Sequence, residues 1–95
     1  MLQYKAGYKF VDGGVHAQVV DFPAVITSAA DLTEARRMLA AALLDVAETR
    51  LELSQSLPSP DPNKSDPDMD FEEPIYLHLS ASSGVVELPA GEVAS

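Results

Sequence analysis

Alternating aspartates are the first residues in this chain whose spacing could do chemistry. Asp66, Asp68 and Asp70 follow the spacing of the first ligands in a calcium-binding loop. An EF-hand loop also needs glycine at its sixth position and glutamate at its twelfth. Phe71 and Leu77 occupy those two places. The segment therefore predicts no dedicated metal site.

The two histidines are the next candidates. His16 and His78 both fall on the outward faces of predicted strands. If those strands were neighbours, the pair could bind a metal or titrate near pH ~6–7. Two separate, solvated histidines are the commoner arrangement. Cysteine is absent, which excludes disulfides and thiolate chemistry, and Arg36 and Arg37 are expected on a solvated helix face. We predict a protein that is not an enzyme and has no cofactor.

An acidic, proline-rich segment has the most functional promise. Residues 57–74 contain five prolines and show no periodicity, which predicts an exposed loop or disordered linker. Six acids and one lysine lie within residues 61–73. The segment is either a solubilising disordered loop or a surface that competes with phosphates for a basic partner, with Met69 or Phe71 as apolar anchors. The candidate partner-binding residues are Asp66, Asp68, Asp70, Phe71, Glu72 and Glu73.

The overall charge and length narrow the class of protein. The formal net charge of −9 repels phosphate backbones, so direct nucleic-acid binding is not expected. The first ten residues lack the apolar core of a signal peptide, and no run approaches the ~20 apolar residues of a membrane span. We expect a cytoplasmic protein with no membrane contact. Its 95 residues suffice for a single domain, residues 1–95.

A β-hairpin is predicted at the start of the chain. Apolar and polar residues alternate over residues 2–10 and again over residues 15–19, the period of two that half-buried strands show. Asp12, Gly13 and Gly14 lie between them, and glycine tolerates the positive φ of a tight turn. The side chains predicted to face the core are Leu2, Tyr4, Ala6, Tyr8, Phe10, Val15, Ala17 and Val19.

Pro23 ends the second strand because proline lacks the N–H that a ladder needs. The β-branched residues of Val25–Thr27 then predict a short third strand. Asp31 and Glu34 form a predicted capping box that starts a helix, Leu32–Leu53. Its apolar stripe, with a period near 3.6, consists of Leu32, Ala35, Leu39, Ala42, Leu43, Val46 and Leu53.

A fourth strand, Ile75–Ser80, is predicted after the acidic segment, with Ile75, Leu77 and Leu79 inward and Tyr76 outward. Val85–Leu88 is a further short strand candidate. Helix on one side of an antiparallel sheet gives the α+β class. We predict a two-layer domain with an antiparallel three- to four-stranded sheet, one long helix on one face and the order β-β-β-α-β.

These motifs, in this order, resemble the HicB-like antitoxin family. The family pattern runs as a hairpin with a D-G-G type turn, then D-x-P-G-hydrophobic-x-T, then a helix opening with L-x-E-A. A proline-rich exit such as residues 57–60 also fits the family. The residues that match its motifs are Asp12, Gly13, Gly14, Asp21, Pro23, Thr27, Leu32, Glu34 and Ala35.

Two departures from the family pattern bear on function. Ala24 replaces the family's glycine after proline, so the turn there must avoid positive φ. Many HicB proteins also carry a C-terminal DNA-binding domain, whereas fifteen residues without helical periodicity follow Ser80. We therefore expect a short, stand-alone form, and DNA-mediated autorepression is not carried over.

The resemblance implies a fold related to a partial ribonuclease H sheet and a role in masking a small basic HicA-type mRNA-cleaving toxin. It also implies homo-oligomers, either dimers or tetramers. One alternative is an oligomeric HicB-like module without a toxin partner, joined through its helix or an exposed sheet edge. A metal-dependent nuclease is a distant third possibility, because Asp12, Asp21 and Asp31 already suit turn and cap positions.

Overall fold

The chain folds as five antiparallel strands and one helix in the computed structural model, which describes residues 1–80 and 84–87, with backbone alone for residues 79, 80 and 84–87. The strand order is β3-β2-β1-β4-β5. The elements are β1 (Leu2–Val11), β2 (Gly14–Val19), β3 (Ile26–Ala29), α1 (Leu32–Glu52), β4 (Phe71–Ser80) and β5 (Gly84–Glu87).

The predicted α+β class is therefore confirmed, with a sheet of five strands instead of three or four. The additional strand is the candidate from the tail, because β5 pairs with Leu77–Ser80 of β4. It begins one residue earlier than predicted, and Leu88, its predicted end, lies outside the described residues. The predicted inward position of Leu79 concerns a side chain that the structure does not describe.

Two glycines shape the first hairpin for different reasons. Gly13 has a φ of 81°, in the region that side chains rarely adopt. Gly14 lies against the end of β3, because a Cβ built on it would be 2.5 Å from the Ala29 carbonyl oxygen. Substitution at either position would disturb the turn or the β2–β3 pairing, which supports the structural role predicted for this motif.

The Asp-Phe-Pro stretch forms a tight turn between β2 and β3. The Val25 N–H donates to the Phe22 carbonyl over 2.9 Å, and the Phe22 N–H donates to the Val19 carbonyl over 3.0 Å. Ala24 avoids positive φ, as its side chain requires. Val25 is a buried turn residue, so β3 begins at Ile26, one residue later than predicted. Phe22 also enters the core, a contribution that the strand pattern did not reveal.

The start of α1 matches the prediction in part. The Asp31 carboxylate accepts the Glu34 N–H over 2.8 Å and caps the helix. The Glu34 carboxylate pairs with the Arg37 guanidinium instead of completing the capping box. That guanidinium lowers the pKa of Glu34.

The end of α1 falls one residue earlier than predicted. Ser54 has a φ of 58°, and the Gln55 N–H donates to the Arg50 carbonyl over 2.8 Å. The Ser54 N–H also donates to the Leu51 carbonyl, which completes a Schellman motif without its usual glycine. Leu53 is the C-terminal cap and is 63% exposed. Its predicted place in the apolar stripe is therefore wrong.

The core lies between α1 and the inner face of the sheet, as the alternation predicts. Tyr4, Tyr8 and the three inward residues of β2 are all buried against the helix. Phe10 is the exception, because it is 50% exposed near the hairpin tip. The buried core consists of Tyr4, Ala6, Tyr8, Val15, Ala17, Val19, Phe22, Val25, Ala35, Leu39, Leu43, Ala47, Ile75 and Leu77.

Strand β4 begins at Phe71, so the predicted loop of residues 57–74 ends four residues early. Pro74 lies within β4 opposite Lys5. Lys5 directs its N–H and its C=O towards Asp21 and Val20 on the β2 side. Lys5 and Pro74 are thus a non-hydrogen-bonded pair of the β1–β4 ladder. The missing N–H of proline therefore costs the pairing with β1 no bond.

Within the described ranges, no helix has both the length and the apolar character needed to cross a membrane.

We expect Leu39→Ala to destabilise the fold strongly. Leu39 is fully buried in the core, and removing buried methyl groups costs about 2–5 kcal/mol of unfolding free energy. Leu53→Ala is the matched control on the same helix, with an expected change within about 0.5 kcal/mol because Leu53 is exposed. Urea unfolding of both variants measures the difference. Equal losses would mean that α1 does not pack as described.

Candidate functional site

The acidic segment is not a free loop. After α1, Leu57 packs against the core, and the buried Tyr4 hydroxyl donates to the Pro58 carbonyl over 2.7 Å. The chain then crosses to the outer face of the sheet, the face opposite α1. Residues 61–70, which we call the strap, run over that face and lead into β4.

Asp21 fixes the start of the strap. Its carboxylate is only 6% exposed. Oδ1 accepts the Lys5 N–H over 2.9 Å, and Oδ2 accepts the Asp61 N–H over 2.9 Å. One buried side chain therefore joins β1 to the strap. The same carboxylate also contributes, after the larger effect of burial, to a raised pKa for the Tyr4 phenol.

The Lys5 side chain holds the next part of the strap. It lies on the outer face, as the alternation predicts, and its ammonium donates to the Pro62 carbonyl over 3.2 Å and to the Lys64 carbonyl. Each of these bonds has a charged donor, which makes it stronger than a neutral one.

Glu72 binds the middle of the strap from β4. Its Oε1 accepts the Ser65 hydroxyl over 3.0 Å, and its Oε2 accepts the Asp66 N–H over 2.9 Å. Asp66 Oδ1 in turn accepts the Asp68 N–H over 2.9 Å, which makes a local turn. Glu72 was predicted to contact a partner, but both of its oxygens serve its own chain.

Met69 is an anchor within the molecule. A Cβ built on Gly7 would be 2.7 Å from Met69 Cγ and 3.0 Å from Val20 Cγ2. The absence of a side chain at Gly7 thus gives Met69 its place on the outer face. Met69 was predicted to be an apolar anchor for a partner. It is instead half-buried against its own sheet.

Asp70 closes the strap against β1. Its N–H donates to the Tyr8 carbonyl over 2.8 Å, and its Oδ2 accepts the Phe10 N–H over 2.6 Å. Asp70 therefore acts as the entry to β4, and its carboxylate is committed to the hairpin backbone. This differs from its predicted place on a free loop.

The last two predicted partner residues belong to a cluster on the helix side. Glu73 forms a bidentate ion pair with Arg36, with both nitrogen–oxygen distances at 2.9 Å. The side chains are 14% and 39% exposed, respectively. Phe71 stacks on Tyr8 with ring centroids 4.9 Å apart, and the Arg36 guanidinium lies 5.8 Å from the Phe71 centroid. Arg36 was expected to be solvated but instead joins α1 to β4.

Tyr8 has an unusual environment in this cluster. Its hydroxyl is buried beside Arg36 and Glu73 and has no hydrogen bond of standard geometry to any described residue. Burial raises the pKa of the Tyr8 phenol well above its ordinary value, and the Glu73 carboxylate raises it further. Glu73 also raises the pKa of Arg36. The Arg36 guanidinium therefore stays charged while the Tyr8 phenol stays neutral.

The exposed acids of the strap are the ones left for a partner. Asp61 and Asp68 are exposed, and Asp66 is half-buried. Asp66 and Asp68 also border a groove of about 240 Å³ on the outer face. Its opposite side includes Lys9, His16 and the exposed Ile26 of β3. Of the five acids among the six predicted partner residues, Asp66 and Asp68 are the two whose carboxylates do not fasten the strap or β4 to another element, although Asp66 Oδ1 accepts the Asp68 N–H.

The candidate metal ligands are not brought together. His16 pairs with Lys9 across the β1–β2 ladder, whereas His78 follows Leu77, the partner of Leu2. Strand β1 separates the two strands, and the two positions are about 25 Å apart along it, so the condition set for a histidine pair, that the two strands be neighbours, is not met. Asp12 lies in the hairpin turn and Asp31 caps α1. Among described residues, no three histidine, aspartate or glutamate side chains group closely enough to hold a metal.

The pKa of Tyr8 makes the stability of the fold depend on alkaline pH. Above pH ~10 the unfolded chain loses its phenol proton while the folded chain retains it. The contribution of Tyr8 is therefore complete below pH ~10 and falls by about 1.4 kcal/mol per pH unit above it. We expect Tyr8→Phe to reduce the slope of unfolding free energy against pH between about 10 and 11, as measured by urea unfolding. Parallel slopes for the variant and the original chain would contradict this environment for Tyr8.

No family model, curated protein or solved structure matches this chain. Its function is therefore inferred from the geometry of the described residues. That geometry offers an acidic surface that is fastened to the sheet at several points.

Proposed function

We propose that this protein is a non-enzymatic, cytoplasmic HicB-like antitoxin that binds and masks a small basic HicA-type mRNA-cleaving toxin. The observation that carries the proposal is the fastening of the acidic strap along the outer face of the sheet. Masking needs only a surface that complements the partner. The motif resemblance in residues 12–35 supports the choice of partner class.

Charge complementarity supports a basic partner. The strap has four aspartates and one lysine, a net charge of −3, within a chain of net charge −9. A protein that binds RNA presents a positive surface to the phosphates. Carboxylates placed over that surface would compete with the phosphates. Opposite potentials also accelerate encounter between two proteins and disfavour partners of the wrong charge.

The strap is held in a fixed conformation before a partner binds, and this supports tight binding. A disordered loop loses conformational freedom when it binds, and this loss weakens the complex. Here Asp21, Lys5 and Glu72 already hold the strap in place before any partner arrives. The carboxylates of the half-buried Asp66 and the exposed Asp68 are consequently presented in a fixed arrangement.

A binding function is also consistent with the acids that are bonded within the molecule. Asp21 accepts from two backbone N–H groups, and Glu73 neutralises Arg36. Asp31 accepts a backbone N–H at the helix start. Asp12, the third acid considered for a nuclease, lies in the hairpin turn. The three acids therefore have separate structural roles.

A second candidate is an oligomeric module without a toxin partner. Strand β3 forms one edge of the sheet, and Ile26 on its outer side is 63% exposed. Exposed edges of this kind pair readily with other strands. A dimer or tetramer built through β3 would accommodate this feature without any toxin.

The decisive test of the proposed partner is co-expression. If a neighbouring reading frame encodes a small basic protein that arrests growth, we expect co-expression of this chain to restore growth. The same toxin expressed alone is the control for arrest, and co-purification of the two proteins measures their binding. A tight homo-oligomer that leaves toxicity unchanged would favour the second candidate.

The strap surface makes a separate prediction. We expect Asp66→Asn with Asp68→Asn to slow association with that partner about two- to tenfold at low salt, because two favourable charges are lost at the rim of an interface. The salt dependence of the association rate should also become weaker. Surface plasmon resonance at several ionic strengths measures both quantities.

The matched control removes the same two charges from the other layer of the molecule. Asp45→Asn with Glu48→Gln changes exposed residues on α1, away from the strap. We expect a smaller reduction in association rate for this variant. Equal rates for the two double variants would remove the strap from the binding surface.

A further inference from the structure

We infer that Asp21 is the positioning residue of the acidic surface, holding the strap where Asp66 and Asp68 can meet a basic partner. The inference rests on the proposed function for its binding consequence. Asp21 itself is too deeply buried to touch the partner. Its effect on binding passes through the strap.

Both oxygens of the Asp21 carboxylate face backbone N–H groups. Each of these two positions therefore requires a hydrogen-bond acceptor. On one side is the Lys5 N–H and on the other the Asp61 N–H, each 2.9 Å away. In Asp21→Asn, the side-chain amide would place a donor against one of these two donors. A buried N–H without an acceptor is destabilising, and the contact with the exposed Asp61 is the one that can open to water.

Asp21 differs from the other strap contacts in its burial. Lys5 and Glu72 bind the strap through bonds that reach solvent, whereas the Asp21 side chain is almost completely covered. Salt and water weaken exposed charged contacts more than buried ones. Loss of the Asp21 contact would therefore release the start of the strap and leave Asp66 and Asp68 held only by the solvent-reached bonds of Lys5 and Glu72 and by Asp70 at the far end.

Gly7→Ala offers a second way to move the strap without changing any charge. The added Cβ would collide with Met69 Cγ at 2.7 Å. The Met69 side chain must shift from this contact, and we expect the shift to displace the neighbouring Asp68. This variant separates displacement of the strap from the loss of the Asp21 charge.

Amide hydrogen exchange reports the position of the strap directly. In Asp21→Asn we expect exchange at the Asp61 N–H to accelerate at least about tenfold, as a buried bond opens. Core amides in α1 should keep their protection. Asp45→Asn, with the same change in charge on an exposed helix position, should leave the Asp61 N–H unchanged.

Binding is measured with a short oligolysine peptide as the basic probe, followed by NMR at the Asp66 and Asp68 amides. We expect the peptide to bind Asp21→Asn and Gly7→Ala at least about threefold more weakly than Asp45→Asn, because the fixed arrangement of acids is lost. The double variant Asp66→Asn with Asp68→Asn is included as the test of the surface itself.

Two results would overturn the inference in different ways. If Asp21→Asn leaves the Asp61 exchange rate unchanged, or accelerates it while binding the peptide as Asp45→Asn does, Asp21 does not position the surface. In that case the double variant would still weaken binding and the strap would remain the partner surface. If the double variant binds as well as the original chain, the strap is not that surface, and the inference falls with it.

Discussion

The backbone N–H of Lys5, in the middle of the sheet, needs a hydrogen-bond acceptor, and the rest of the structure depends on how that acceptor is supplied. Strand β2 pairs with β1 only as far as Val19, because the turn at Pro23 draws the chain away. The Lys5 N–H would then lack a partner inside a mostly buried region. The Asp21 carboxylate lies at that position and accepts the hydrogen bond from the Lys5 N–H. The turn that interrupts the strand thus also supplies its missing acceptor.

The second carboxylate oxygen of Asp21 connects this local hydrogen bond to a distant part of the chain. It accepts the Asp61 N–H, so the chain that follows α1 is tied to the point where β2 leaves the sheet. The outer face is then partly covered by the strap, with Met69 over Gly7. On the other side, the Arg36–Glu73 pair joins the helix to the first residues of β4. These two attachments place the acidic segment between fixed ends.

Much of the fold could be predicted because its determinants are local. The alternation in β1, the glycines of the turn and the Asp31 cap each act over a few residues. The contacts of the strap could not be read in this way. Those that attach the strap to Asp21 and to β1 join residues at least 40 positions apart, and most use backbone atoms, which every residue possesses. Proline and acid content described the composition of the segment but did not show that a carboxylate elsewhere would hold it.

The same distinction applies to the candidate site. The sequence indicated which segment is acidic, yet Asp70, Glu72 and Glu73 proved to be occupied by their own chain. Gly7 gave no signal as a strand residue, although it makes room for Met69. Similarly, the exposure of Phe10 follows from its place near the hairpin tip, beyond the cover of the helix. A period-two pattern shows which side chains share one face of the sheet. It does not show how much of that face the helix covers.

The wide sequence separation of the strap contacts has a consequence for the newly made protein. Tyr4 bonds to Pro58 and Phe10 to Asp70, so these links join the first strand to chain synthesised much later. Contacts between distant segments form slowly, because closing a long loop costs entropy before it brings any stabilisation. An incomplete chain on the ribosome would possess the acidic residues without their arrangement. The strap can therefore reach its final arrangement only after the residues of β4 have been synthesised.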